Sequence, residues 1–303
     1  MQSYDIKQER RNDGATSSTR QRERRLTYPH VIEDVVVGLG DDVEMLATHL
    51  VEDKGPRVVY IWGMGGSGKT TLAKQIFNYK KVKCYFDCFA WVCISQQCDD
   101  TTVMKEIFMK LCSMSDEQRQ GIANLSNEEI AERLCNFQRD RKCLVVLDDI
   151  WALDAWNSFK GGISMNEETE SRILLTTRNR EVASLARGNN FLYESRALSA
   201  DEGWNLFRKI AISEVNDPNS QIYSKKEELG KSMLQHCVGL PLAIIVLAGL
   251  LARKDTIDEW KTVHKNVDVY IRRGTDLEQE YKGQNMKVLH GSWHLVMTTY
   301  HIA

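Results

Sequence analysis

Four prolines in 303 residues leave no proline-rich linker anywhere in the chain. A surplus of one charge sign is also missing. The 40 Lys and Arg are balanced by 42 Asp and Glu, a formal net charge of −2, which argues against direct nucleic-acid or membrane-surface binding. No apolar run is long enough to span a bilayer. The longest, Val238 to Ala252, is broken by Gly239, Pro241 and Gly249 and stops short of the roughly 20 residues a transmembrane helix needs, so it reads as a buried helix. Met1 to Arg25 holds no apolar stretch of the signal-peptide kind. Eight cysteines are present, yet Cys84, Cys88, Cys93 and Cys98 form no C-x-x-C pair and no His stands at finger-like spacing. A disulfide framework and a zinc site are both disfavoured, leaving reduced, partly buried thiols in a cytoplasmic protein.

What is present is ordinary for a folded protein: 42% hydrophobic and 27% charged residues, over a length that supports one large domain or two small ones. Residues 1–30 are polar, with a basic cluster at Arg20, Arg22, Arg24 and Arg25, and are expected to be a disordered linker rather than a basic binding arm. Apolar content rises from Val31. Asp41 to Val51 has helical spacing, and Val58 to Trp62 is a short β-branched run suited to a buried parallel strand. Further strands are expected at Phe86 to Ile94, Leu144 to Leu147, Arg172 to Thr176 and Phe191 to Tyr193. Helices are expected near Thr71 to Tyr79, Thr101 to Cys112, Asn127 to Arg139 and Arg180 to Ala186. Strands alternating with helices imply βαβ units and a parallel sheet. After Leu198 only helices are expected: Ser199 to Ile212, with Ser199 and Glu202 as a capping box, then Ser224 to Cys237, Pro241 to Ala252 and Thr256 to Val269. The boundaries that follow are 31–198 for an α/β domain, 199–273 for a helical subdomain and 274–303 for an irregular tail.

The strongest chemical signal is Gly63-Met64-Gly65-Gly66-Ser67-Gly68-Lys69-Thr70, which fits G-x-x-x-x-G-K-[ST] between a strand and a helix. Glycines let backbone N–H groups curl around phosphate oxygens, and the helix beyond Gly68 aims its first amides at the same anion. Lys69 reaches the β and γ phosphates, and the Thr70 hydroxyl can ligate Mg²⁺. An adenine or guanine nucleotide is the ligand class these residues fit. The second signal is Cys143 to Asp149, an apolar strand ending in two acids. Asp148 is expected on the metal side, with Asp149 placed to orient or deprotonate an attacking water. An Asp pair also closes ordinary strands, so it gains meaning from its place downstream of the loop. The third is Ser171 to Arg178, another strand with a polar end, where Arg178 is either a sensor of the γ phosphate or a surface residue opening a helix.

Taken together these parts resemble the NB-ARC region of plant intracellular disease-resistance proteins of the coiled-coil, leucine-rich-repeat type. The resemblance runs from about Glu33 to Arg273. It rests on GMGGSGKTTLA at 63–73, FDCFAWVCIS at 86–95, LVVLDDIW at 144–151, SRILLTTRN at 171–179, LSADEGWNLF at 198–207 and GLPLAI at 239–244. Trp151 after the Asp pair resembles the coiled-coil branch more than the Toll-receptor-like one. The resemblance implies a P-loop NTPase fold, α/β with a parallel five-stranded sheet and a following α-helical subdomain. It places the Arg178 strand between the P-loop strand and the Asp148 strand. It also implies an ADP/ATP switch in plant defense, capable of slow hydrolysis. Lys69, Thr70 and Thr71, with the loop's Gly63, Gly65, Gly66, Ser67 and Gly68, would hold phosphate. Thr70 and Asp148 would hold Mg²⁺, Asp149 would be the base and Arg178 the sensor. Val37 and Gly38 would line the adenine, and Pro241 would close over it. Protein partners would come from related immune receptors.

The sequence departs from that pattern at both ends. Residues 1–30 carry no coiled-coil pattern, so no amino-terminal coiled coil is expected ahead of the linker. Past Gly274 no winged-helix segment, Met-His-Asp motif or leucine-rich repeat follows. Leu295 to Ile302 can be encoded so that a one-base shift reads SYDDLPY, a family-like continuation, so residues from about Gly283 are expected to be an out-of-frame or misspliced tail. Three other readings follow: a non-catalytic decoy or adaptor pairing with full-length receptors, a small-molecule kinase lacking a visible lid, and an inactive truncated product. For the last, apolar surface is expected to be exposed on the helices near 241–252.

Overall fold

The run Val58-Val59-Tyr60-Ile61-Trp62 forms β1, an inner strand of a parallel sheet, and its first four residues are buried. The structure is a computed structural model that describes residues 29, 35–94, 100–112, 120–122, 124–159, 163, 169–212 and 221–273. Apart from Pro29, the expected linker at 1–30 lies outside the described residues. So do the expected tail at 274–303, Ser95 and Cys98.

Ahead of β1 comes α1 (Gly40–Val51). After it the order is α2 (Lys69–Phe77), α3 (Lys80–Tyr85), β2 (Cys88–Cys93), α4 (Asp100–Leu111), α5 (Asn127–Asp140), β3 (Cys143–Ile150), α6 (Leu153–Phe159), β4 (Arg172–Thr177), α7 (Arg180–Ala183) and β5 (Asn190–Glu194). The sheet has five strands in the order β2-β3-β4-β1-β5, and every pairing is parallel. β4 therefore lies between the P-loop strand and the Asp148 strand, as the resemblance implies.

The alternation of side chains along each strand divides the core into two layers. Val58, Tyr60, Val145, Leu147, Ile173 and Leu175 face one way and pack with Val103 and Ile107 of α4, Ile130 and Leu134 of α5 and Trp156 of α6. Val59, Ile61, Leu144, Val146 and Leu174 face the other way and pack with Leu46 and Leu50 of α1, Leu72 and Ile76 of α2 and Val82 of α3. Because both faces are covered, these strands carry continuous apolar runs rather than an apolar–polar alternation.

Beyond β5 the chain is helical: α8 (Ala200–Ala211), α9 (Gln221–Leu234), a 3₁₀ turn at Gln235–Cys237, α10 (Pro241–Leu251) and α11 (Ile257–Arg273). The Ser199–Glu202 capping box at the head of α8 is formed in both directions. Phe207, Met233, Ile244, Leu247, Leu251 and Trp260 build a third core, and Val35 and Val37 from before α1 pack against it. Within α10 only Ile245 is exposed. The apolar surface left open near 241–252 is therefore centred on Ile245, with Leu242 and Leu250 partly covered, while α8 and its neighbours bury the rest of α10.

Three details differ from the sequence reading. The helix after the P-loop stops at Phe77 and restarts as α3, because Asn78 turns its amide group back onto the carbonyl of Lys74 at 2.9 Å. The helix α6 fills a stretch to which no element was assigned. The Asp pair lies inside β3, not at its end. The β3–β4 register shifts between Leu147 and Ile150, and Asp149 takes a left-handed φ of 62°. One extra residue in a strand is a β-bulge, and bulges re-aim side chains at functional edges. No helix among the described residues is long and apolar enough to cross a membrane.

Candidate functional site

The sheet delivers the motif residues to one edge. Trp62, the last residue of β1, is in register with Thr177 on one side and with Glu194 on the other. The loop that follows Trp62 is therefore flanked by the ends of β4 and β5. Within it Gly63, Gly66 and Gly68 have φ values of 155°, 78° and 89°. Gly68 is the N-cap of α2; it offers no side chain to cap the first turn, and that turn holds no acidic residue. The first amides of α2 are not spent on the helix's own side chains, which is the condition for an anion site at a helix start. Gly65 is buried in the loop, and Thr71 is half-buried on α2.

Lys69 is buried, with its ammonium donating to the carbonyl of Met64 at 2.6 Å, so it lies folded back over the loop. The hydroxyl of Ser67 is buried and meets no hydrogen-bond partner. A buried polar atom of this kind is uncommon in a folded protein and marks a place where a ligand can supply the bond.

The acid pair is held by neighbouring hydroxyls. Thr70 donates to Oδ1 of Asp148 at 2.9 Å, and Thr176 donates to the same oxygen at 2.7 Å. The Thr176 oxygen in turn accepts the amide N–H of Asp149 at 2.8 Å. Asp148 is 1% exposed, so these bonds compensate a carboxylate taken out of water. Asp149 points elsewhere: its Oδ2 pairs with Nη2 of Arg178 at 3.2 Å. Asp is one of the few residues that adopt a left-handed backbone at modest cost, which suits it to the bulge. Arg178 also lies over the ring of Trp151, 4.7 Å from its centre.

Two consecutive side chains after β5 reach the loop and Gly38. Ser195 donates to the carbonyl of Ser67 at 3.0 Å. Arg196 donates to the carbonyl of Gly38 at 2.8 Å and grips Glu202 at 2.7 and 2.8 Å. Gly38 has a φ of 75°, and a Cβ placed there would lie 2.6 Å from the Glu202 carboxylate, so any other residue would meet a strained backbone and displace Glu202. The Arg196 guanidinium, through its hydrogen bonds, holds the Glu202 carboxyl down at about 2. Val37 meets the helical core rather than the loop. Pro241 opens α10 beside the loop, its Cγ 4.0 Å from where a Cβ of Gly68 would stand.

Motif reading named most of these positions but missed Thr176, Ser195, Arg196 and Leu242, whose amide donates to the carbonyl of Gly66 at 3.2 Å. Two consecutive threonines closing a strand beside the P-loop strand were the available signal for Thr176. Nothing local marks the other three, whose roles come from the meeting of distant segments.

The donor set suits a nucleotide with Mg²⁺: curled glycines, a buried lysine, an orphaned hydroxyl, and one hydroxyl and one carboxylate already in contact. Comparison with known proteins supports the nucleotide. The NB-ARC domain model matches residues 39–217. Putative disease resistance protein At1g50180 of Arabidopsis thaliana is 43% identical over 275 residues, covering 90% of this chain and 32% of that protein. Probable disease resistance protein At1g59620 of the same plant is 38% identical, covering 90% of this chain and 31% of its own. The chain thus spans about a third of the length of these relatives. Among solved structures, a STAND (Signal Transduction ATPase with Numerous Domains) protein with a tetratricopeptide repeat sensor from Pyrococcus horikoshii has a TM-score of 0.53 at 18% identity. It covers 77% of this chain and 33% of its own. The Aeropyrum pernix ORC2 protein, solved with ADPNP and ADP, has a TM-score of 0.53 at 15% identity, with coverage of 90% and 83%. At these identities the structures speak for the fold alone.

Proposed function

Since the chain belongs to the NB-ARC family, we propose that it is the ADP/ATP-binding switch module of a plant intracellular immune receptor, with slow ATP hydrolysis. The observation that carries this reading is the hydrogen-bonded line from Thr70 through Asp148 and Thr176 to the amide of Asp149, which joins the loop to the acid pair. The loop amides and Lys69 bind the phosphates. Thr70 and Asp148 hold Mg²⁺, which when bound supplies positive charge against the phosphate oxygens. Asp149 orients a water and can take its proton, and Arg178 offers N–H donors to a terminal phosphate. Val37 and Gly38 line the base, and Pro241 closes over it. Division at residue 198 into a P-loop domain and a helical subdomain, a cytoplasmic location, and partners among related receptors complete the reading.

What makes this a switch module is the seat of α10. Its first turn touches the loop, so a change in the loop's ligand shifts the balance between arrangements of the helical part. Denaturing the purified chain and identifying the released nucleotide by chromatography tests the reading: ADP or ATP is expected, and flavin, guanine nucleotide or nothing opposes it.

A second reading has one observation in its favour. The Asp149 carboxylate, the expected base, is engaged by Arg178. A module that binds nucleotide without turning it over, pairing with full-length receptors, accommodates that contact. Single-turnover hydrolysis separates the two: Lys69→Arg and Asp149→Ala slower than wild type supports catalysis, and three equal near-zero rates support the binding module.

A further inference from the structure

The guanidinium of Arg178 is held by two side chains from one short stretch of chain. Nη2 pairs with Oδ2 of Asp149 at 3.2 Å, and the guanidinium carbon lies 4.7 Å from the centre of the Trp151 indole. Asp149 sits at the β3 bulge and Trp151 two residues on. Trp151, just past the end of β3, is 36% exposed, whereas Tyr60 and Trp91 within the sheet are 1% and 3% exposed. A large ring left at the surface beside a functional edge calls for a local reason, and its contact with Arg178 supplies one.

The backbone beneath this contact is pinned from both sides of Arg178. The hydroxyl of Thr177 donates to the carbonyl of Ile150 at 2.8 Å, and the amide group of Asn179 donates to the carbonyl of Trp151 at 3.0 Å. Asn179 also accepts the N–H of Glu181 at 2.8 Å, capping α7. The chain carrying the ring and the chain carrying the arginine are thus locked together, and Arg178 adjusts only by rotating its own side chain over a fixed platform. A guanidinium resting its flat face on an indole keeps its N–H edge for oxygen acceptors.

We propose that Trp151 is a positioning residue for telling triphosphate from diphosphate: its ring face holds Arg178 so that the N–H edge is shared between the Asp149 carboxylate and a terminal phosphate. The inference rests on the nucleotide-binding reading above. Its location follows from register, since Thr177 pairs with Trp62 and Arg178 therefore emerges beside the first residue of the phosphate loop. A diphosphate leaves the Arg178–Asp149 pair as it stands. A triphosphate brings oxygens that compete with Asp149 for the same edge, and the ring keeps that edge within reach of both. Removing the ring therefore weakens triphosphate binding and leaves diphosphate binding alone.

The test is equilibrium titration of the full chain with Mg-ADP and Mg-ATPγS, on wild type, Trp151→Ala, Trp151→Phe, Arg178→Ala and the Trp151→Ala/Arg178→Ala double variant. Trp151→Ala is expected to weaken ATPγS relative to ADP by about two- to fivefold, the size of one exposed cation–π contact. Trp151→Phe should recover most of that loss. In the Arg178→Ala background, Trp151→Ala should move the ratio no further. Trp151→Gln, which keeps bulk without a ring, reads the same ratio if the alanine variant gives poor yield. A ratio unchanged while ADP still binds, or a ratio that falls equally without Arg178, overturns the role of Trp151 and leaves nucleotide binding standing. A wild type that binds neither nucleotide overturns both.

Discussion

The amide of Leu242 donates to the carbonyl of Gly66 across 3.2 Å, so the helical region is fastened to the phosphate loop by a backbone hydrogen bond. Pro241, at the first position of α10, has no N–H to give, and the bond falls to the next residue. The contact is close on the side-chain side as well: a Cβ on Gly66 would lie 2.8 Å from the Cβ of Leu242. The shape of the loop and the seat of α10 are therefore set together.

Gly66→Ala tests that junction. The loop backbone at this position has a φ of 78°, where an L side chain costs about 1–2 kcal/mol before any clash is counted. The variant is expected to unfold at lower denaturant or temperature by at least that margin and to bind ADP more weakly. Thermal unfolding with and without ADP measures both effects. An unchanged midpoint would mean that α10 moves aside freely and that the two parts are not coupled here.

Thr176→Val removes a hydroxyl that serves both acids while nearly preserving volume. Asp148 loses a donor, and the N–H of Asp149 loses its acceptor. Leaving the Asp149 N–H without its acceptor, and Asp148 with one donor fewer, is expected to cost about 1–3 kcal/mol of stability. Mg²⁺-dependent tightening of nucleotide binding should fall as well, since Oδ1 of Asp148 is then held by Thr70 alone. Chemical denaturation and titrations with and without Mg²⁺ check the two parts separately.

The Arg196–Glu202 pair gives a pH dependence with a definite sign. Glu202 has an ordinary value of 4.5 and is held at about 2 in the fold, first by its hydrogen bond from Arg196. A carboxylate whose value is lowered by folding stabilises the fold in full above its unfolded value, and that contribution fades as the pH drops toward the folded one. The difference in stability between wild type and Glu202→Gln is expected to be constant above pH 5 and to shrink from pH 4.5 to 2. The pair is partly exposed, so its size is modest and declines with added salt. A difference that grows on acidification would contradict the pairing.

Thiol chemistry follows burial. Burial pushes the thiols of Cys143 and Cys237 up to about 12, so neither supplies thiolate near neutrality. Cys84 is exposed. Brief alkylation at pH 8 followed by peptide mass spectrometry should find Cys84 modified and Cys143 and Cys237 intact, with all three modified after denaturation.

The sequence made the parallel sheet and its helical sequel legible because buried strands such as Val58 to Trp62 and capping boxes such as Ser199–Glu202 are local signals. The P-loop was legible for the same reason: its chemistry lies in consecutive residues. The bulge that separates Asp148 from Asp149 was not, because a register shift belongs to a pair of strands and leaves no period in either. The break at Asn78 that ends α2 and starts α3 was hidden because the residues on both sides favour a helix. The junctions of Arg196 with Gly38 and of Ser195 with Ser67 were hidden because they join segments 158 and 128 residues apart. Burial of α10 was legible from its apolar run, but not which side chain, Ile245, stays exposed, because an all-apolar helix shows no stripe to mark the open side.

Calorimetric titration of Mg-ADP into the purified full chain, beside Lys69→Glu, tests the central claim most directly. Saturating heat at one nucleotide per chain in the wild type, and none in the charge-reversed variant, is the expected result. No heat from ADP or ATP in soluble, folded wild type, or identical binding by Lys69→Glu, would contradict it.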